Sequence, residues 1–144
     1  MTRQEIEDEY EIGGILEGAG VAAALPLMTH VDIARISGMV EHMARLAPRV
    51  GGLYEFTEVD DAFHNALLAH CANRRLVEMA RSACTNISKF LFYNHWNVLF
   101  TPQEFVERHR NIFEAVQTRN PAVVEGAIRE HYRESGRRMG QFGC

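Results

Sequence analysis

The stretch Asp60-Asp61-Ala62-Phe63-His64 decides how this chain is read. Phe56, Phe63, Leu67 and Leu68 recur around it at helical spacing, so a helix is expected from about Leu53 or Thr57 to Ala72. On that helix Asp60 and His64, four residues apart, share one face one turn apart. A second landmark, Asn120-Pro121, reads as a cap followed by proline at the first helical position, and so as the turn between two helices. His109 lies eleven residues before Asn120 and His131 eleven after it. In an antiparallel pair those equal offsets bring both side chains to one height, roughly 16 Å from the turn at about 1.5 Å of rise per residue. Both histidines fall on apolar stripes, Phe105, His109, Ile112, Phe113 and Val116 on one helix and Val124, Ala127, Ile128, His131 and Ser135 on the next. One carboxylate and three imidazoles can therefore converge inside a helical bundle.

The rest of the chain supports a bundle. The first helix is expected from about Thr2 to Leu25, with Ile6, Tyr10, Gly13 or Gly14, Glu17 and Val21 inward. A glycine pair inside a helix costs roughly 1 kcal/mol per residue against alanine, which implies close helix packing or a kink. Thr29 and Asp32 form a capping-box pattern for a second helix with Ile33, Ile36, Met39, Val40 and Met43 as its stripe, fading at Ala47-Pro48. Asn73 is a plausible cap for a fourth helix reaching about Trp96, with Leu76, Ala80, Ala83, Ile87, Phe90 and Leu91 inward. Thr101-Pro102-Gln103-Glu104 is the clearest helix start. The expected fold is all-α, an antiparallel bundle of about six to seven helices, forming one domain over residues 1–144.

Composition narrows the function classes. The chain has 144 residues, 47% hydrophobic and 24% charged, enough to bury a core unaided. A metal would therefore serve function rather than rescue folding. The net charge of −4 and the short basic pair Arg137-Arg138 give no nucleic-acid footprint. No apolar run reaches the 18 or so residues of a membrane span, and the acidic, polar Met1–Glu11 is not a targeting peptide. Cys71, Cys84 and Cys144 show no C-x-x-C spacing. Cys71 and Cys84 read as small core fillers, and a cytoplasmic setting is expected.

A histidine on an apolar helix face is more often a hydrogen-bonded core residue than a ligand. The joint register of Asp60, His64, His109 and His131 is what raises the metal reading to a serious one. Three imidazoles and a carboxylate suit a divalent ion, zinc first, with nickel, manganese or iron as alternatives, and leave positions open for water or a ligand. His70 lies about 120° from the His64 face. His30 and His42 miss their helix's stripe, His95 falls near a helix end, and the acidic residues of the first helix read most simply as a solvated face. Asn86 and Lys89, beside the fourth helix's stripe, are the candidates for orienting a bound effector. Two other readings stand beside this one. A helical metal-dependent enzyme acting on a small acid or ester lacks an obvious general base, since Asp61 points about 100° away and Glu58 lies two residues before Asp60. A metal-free dimerisation module would leave the histidines as core residues.

These residues carry a resemblance. Glu9-Tyr10-Glu11-Ile12 with Leu16-Glu17, then Asp60-x-x-Phe63-His64, Asn73, Arg108-His109-Arg110-x-Ile112-x-x-Ala115-Val116 and Ala127-Ile128-x-x-His131 resemble the FCD effector domain of GntR-type transcription regulators of the FadR subfamily. The likeness covers essentially the whole chain. The D-x-x-F-H element with two later histidines is its specific part, and the first-helix part is weak. It implies a divalent metal held by Asp60, His64, His109 and His131, a small carboxylate effector, a homodimer, and no catalysis. It also implies that DNA is read only through a winged helix-turn-helix domain, which this chain is expected to lack. The first-helix arginine that can anchor an anionic effector in that family has no counterpart in Ile12-Gly13-Gly14.

Overall fold

The computed structural model describes residues 1–49, 53–85 and 99–144, with residues 53–55 described by backbone alone. The described residues form six α-helices and no strand: α1 Arg3–Ala24, α2 His30–Leu46, α3 Leu53–Leu68, α4 Arg74–Ser82, α5 Pro102–Gln117 and α6 Pro121–Met139. The fold is all-α, as expected. No helix among the described residues is long and apolar enough to cross a membrane.

Local chemistry sets the helix starts. Thr2, Thr29 and Thr101 each accept a hydrogen bond from the third helical residue, whose carboxylate reaches back to the cap backbone. Asn73 and Asn120 cap α4 and α6 through their side chains. Two ends differ from expectation. Helix α3 stops at Leu68 rather than Ala72, because Ala69 and Cys71 donate to Ala66 and Leu68 in a tight turn. Helix α4 ends at Ser82, and much of the remaining span predicted as helix lies outside the described residues.

The turn at Asn120-Pro121 does join two antiparallel helices. Arg119 takes a left-handed conformation there (φ 57°), and its guanidinium donates to the Met28 carbonyl at 2.9 Å. Helix α1 packs most extensively against α6, and also touches α3 and α4; α2 packs on α3 and α5. The α1–α6 seam is antiparallel and glycine-lined. A β-carbon on Gly14 would stand 2.9 Å from the Tyr132 Cβ and 3.3 Å from the Arg129 backbone, and one on Gly136 would stand 2.8 Å from the Tyr10 Cβ. The Gly13-Gly14 pair therefore serves close packing. The core of Ile6, Val21, Ile36, Met43, Phe56, Phe63, Leu67, Ile112, Val116, Val124 and Ile128 is fully buried around these contacts. It is dry on most sides and polar on one, where α1, α3, α5 and α6 meet.

Candidate metal centre

Helix α3 supplies Asp60 and His64 to that polar side, α5 supplies His109 and α6 supplies His131. One ligating atom from each of His64, His109 and His131 lies within 4.8 Å of the others. The His109 and His131 rings are 5.2 Å apart between centroids and meet edge to face at 77°, at the common height that the equal offsets from the turn imply. Asp60 borders two of them and lies outside that 4.8 Å cluster. Its Oδ1 is 2.6 Å from His109 Nε2 and 3.2 Å from His64 Nε2.

The outer nitrogens fix which inner nitrogens carry lone pairs. His109 Nδ1 faces the Phe105 carbonyl at 2.7 Å. A carbonyl only accepts, so Nδ1 carries a proton, and whenever the ring has a lone pair it is on Nε2, which faces Asp60. His64 Nδ1 lies 2.7 Å from Oε2 of Glu17, a fully buried carboxylate of α1. Ionised Glu17 accepts from Nδ1–H, which again turns the Nε2 lone pair inward. Two lone pairs aimed at a carboxylate oxygen repel unless a proton or another cation lies among them.

His64 accommodates that proton in the metal-free chain. Burial depresses its pKa, but the Glu17 and Asp60 charges outweigh burial and lift it to about 10. Burial pushes Asp60 the other way, yet His64 and His109 hold it well below the usual carboxylate range. Its side chain keeps 37% of its surface exposed, so these ion pairs are partly screened. His131 is the opposite case. Burial, reinforced by Arg108, His109 and His64, drives its pKa well below 6.5, so it is neutral. Its Nδ1 is buried and makes no hydrogen bond among the described residues. Such an orphan costs about 1–3 kcal/mol. A neutral imidazole with an unmet nitrogen, beside two imidazoles oriented through their far nitrogens and a carboxylate, is the donor chemistry a divalent cation requires. The residues present therefore fit such an ion.

The centre opens on a cavity of about 440 Å³, within the range of small-ligand sites. Its lining includes Asn65, Arg81, Thr85, Arg108, Tyr132 and Ser135 besides the centre itself. Arg81 of α4 approaches Glu17 Oε1 at 3.5 Å and Asp61 Oδ1 at 3.0 Å. Arg108 of α5 donates to the His131 carbonyl and to Ser135. Cys84 also lines the cavity, but burial and then Glu17 push its thiol up to about 12, so it stays protonated and is a poor ligand or nucleophile. Tyr132 is held neutral by burial and Glu17.

The other expected residues sort cleanly. Asp61 and Glu58 are exposed, and His70 pairs with Asp32 at 2.8 Å. Cys71 and Cys84 are buried fillers, as expected. Asn86, Lys89 and His95 lie outside the described residues. The residues that sequence reasoning did not assign to the site are Glu17, Arg81, Arg108 and Tyr132. Glu17 had a signal: it sits on the inward stripe of α1, and a carboxylate there needs a partner. Its complete burial agrees with the inward position expected for it and separates it from the solvated acidic face of that helix. Gly13 explains why no first-helix arginine is present, since a Cβ there would lie 2.8 Å from Cys84 Sγ and 3.2 Å from the Tyr132 ring.

The family model for the FCD domain matches residues 8–134. The chain belongs to the FCD domain family. The Glc operon transcriptional activator of Escherichia coli is 28% identical over 131 residues, a match covering 88% of this chain and 52% of the relative. The protein of the same name from a second Escherichia coli strain matches equally. The FCD domain described here thus spans about half the length of the curated relatives it matches. No solved structure gives a significant match. Membership places this FCD domain among the effector-binding domains of transcription regulators, a regulatory class rather than a catalytic one.

Proposed function

We propose that this FCD domain senses a small organic acid at a divalent-metal centre held by Asp60, His64, His109 and His131. The observation that carries the reading is the orientation of the imidazoles. His64 and His109 are held by Glu17 and the Phe105 carbonyl so that both Nε2 atoms face Asp60, with neutral His131 alongside. A bound divalent ion would supply positive charge and an open coordination position for a carboxylate oxygen. The protein's part is to hold the imidazoles in one tautomer, exclude water on the core side and present the cavity on the other. Zinc is the first choice, with nickel, manganese or iron compatible with the same donors.

Occupancy of the cavity must favour one arrangement of the helices or of a homodimer over another, or no signal passes. The lining comes from α1, α3, α4, α5 and α6 and the residues beside them, so an effector touching several of these would bias their packing. DNA would be read by a separate domain of a longer regulator working in the cytoplasm, in keeping with the relatives' description as transcriptional activators.

Elemental analysis of protein purified without chelator tests the centre, alongside His109→Ala and His131→Ala. About one ion per chain, lost in both variants with helix content retained, is the expected result. Absence of metal even after zinc or nickel is added at neutral pH would reduce the histidines to core residues.

A further inference from the structure

We infer that Arg108 is the anion anchor of this cavity, and that the effector it selects is a dicarboxylate, with one carboxylate at the histidine centre and the other at the Arg108 guanidinium. This rests on the metal-and-carboxylate reading above and adds the effector's second charge to it.

The cavity lining contains two guanidiniums, Arg81 and Arg108, in different electrostatic company. Arg81 already has carboxylate oxygens at 3.0 Å from Asp61 and 3.5 Å from Glu17. An incoming anion there would meet two negative charges. Arg108 is only 12% exposed, and its contact with Glu134 Oε2 is long, at 4.0 Å. The other oxygen of Glu134 is held by Arg138 at 2.9 Å. The hydrogen bonds of Arg108 run from Nη2 to neutral acceptors, the His131 carbonyl at 2.7 Å and the Ser135 hydroxyl. Its Nε is buried without a hydrogen bond, and Nη1 makes none among the described residues. The guanidinium stacks over the Phe100 ring at 4.1 Å, which fixes its plane. A planar, oriented cation with spare donors and no carboxylate hydrogen-bonded to it is built to receive one, because a guanidinium pairs with a carboxylate through two parallel bonds.

The number of charges follows from position. Arg108 is anchored on the backbone carbonyl of His131, while the His131 ring belongs to the histidine centre. The guanidinium and the imidazole cluster are thus adjacent but separate attachment points. A cavity of about 440 Å³ has room for a chain of several carbons between them. Ser135 and Asn65, also in the lining, offer polar groups to the middle of such a molecule.

The test is calorimetric titration of the zinc-loaded chain with succinate and with acetate. Wild type should bind succinate at least about tenfold more tightly than acetate, and Arg108→Gln should lose roughly 10- to 100-fold for succinate with acetate within about threefold. Arg110→Gln removes the same charge two residues away, outside the cavity lining, and should change neither. Zinc content and helical circular dichroism should stay at wild-type values throughout. Should Arg108→Gln lose zinc or helix, Arg108→Lys decides: it keeps the charge without the fork and should weaken succinate selectively. Equal wild-type affinities for the two acids, or an Arg108 variant that is loaded, folded and unchanged for succinate, would overturn the inference while leaving the metal centre standing. Failure of both acids to bind zinc-loaded wild type would remove the carboxylate reading itself, and the inference with it.

Discussion

Against His64, the wall built by α1, α3 and α4 sets Glu17 and Asp60, with Arg81 beside them held by Glu17 and Asp61. Against His131, the wall built by α5 and α6 sets Arg108, whose contact with Glu134 is a long one at 4.0 Å. The two imidazoles respond in opposite directions. His64 is lifted to about 10, and His131 is driven well below 6.5, although both are packed into one cluster. The lesson is that one centre can be poised for two kinds of partner. Its acidic side favours a cation, and its basic side leaves a guanidinium that favours an anion. Buried charge rather than helix geometry makes the two sides differ.

Four experiments bear on that contrast. The largest effect is expected from His109→Ala, which removes the imidazole shared by both sides. Zinc should fall from about one per chain to near none by elemental analysis. Helix content should remain, because α5 keeps its capping box and its other buried residues. Unfolding in step with metal loss would mean the centre is structural.

Glu17→Gln comes next. It leaves the volume of α1 intact but removes the charge that orients His64. Zinc affinity, read by competition with a chromophoric chelator, should weaken by roughly 10- to 100-fold. Glu134→Gln on the opposite wall should leave it nearly unchanged, and an equal loss in both variants would erase the contrast.

The third is a pH dependence. In the metal-free chain the folded pKa of His64 is raised above its usual 6.5 to about 10. Its contribution to stability is therefore complete below about pH 6.5 and declines as pH rises toward 10. Urea denaturation of metal-free wild type should show this decline between about pH 6.5 and 8.5, below the ordinary thiol range that Cys84 brings in. Glu17→Gln should flatten it. Zinc binding runs the opposite way, strengthening over the same interval as the His64 proton is released more easily. A decline as steep in Glu17→Gln as in wild type would assign the slope to another group.

The smallest effects concern the seam that brings α1 to the centre. Gly14→Ala should destabilise by about 1–3 kcal/mol, since its Cβ meets the Tyr132 Cβ and the Arg129 backbone. Gly126→Ala, with nothing within 4 Å, should instead stabilise by about 0.5–1 kcal/mol through helix propensity. Thermal denaturation of the two variants checks the signs, and equal effects would mean the seam is not close-packed.

Much of the architecture was legible along the chain because it is written in local chemistry. The three threonine caps, Asn73, Asn120 and the prolines after Thr101 and Asn120 start helices where expected. The i, i+4 spacing of Asp60 and His64, and the equal offsets of His109 and His131 about Asn120, needed only the helical rise and an antiparallel turn to bring them together. Arg119 shows the limit even there: its left-handed φ at the turn carries no glycine signal.

What the sequence determined by itself, then, is the helical class, the helix starts, the pairing of Asp60 with His64 along α3 and that of His109 with His131 about their turn, because each follows from periodicity along one helix or one tight turn. Only the tertiary structure decided that Glu17 orients His64, that Arg81 is matched by two carboxylates while Arg108 is not, and that Gly13 and Gly14 give their space to Cys84 and Tyr132. The physical reason is distance along the chain. Glu17 and His64 are 47 residues apart, and their contact exists only because α1 lies against the bundle, where burial turns a separation of 2.7 Å into a large electrostatic effect.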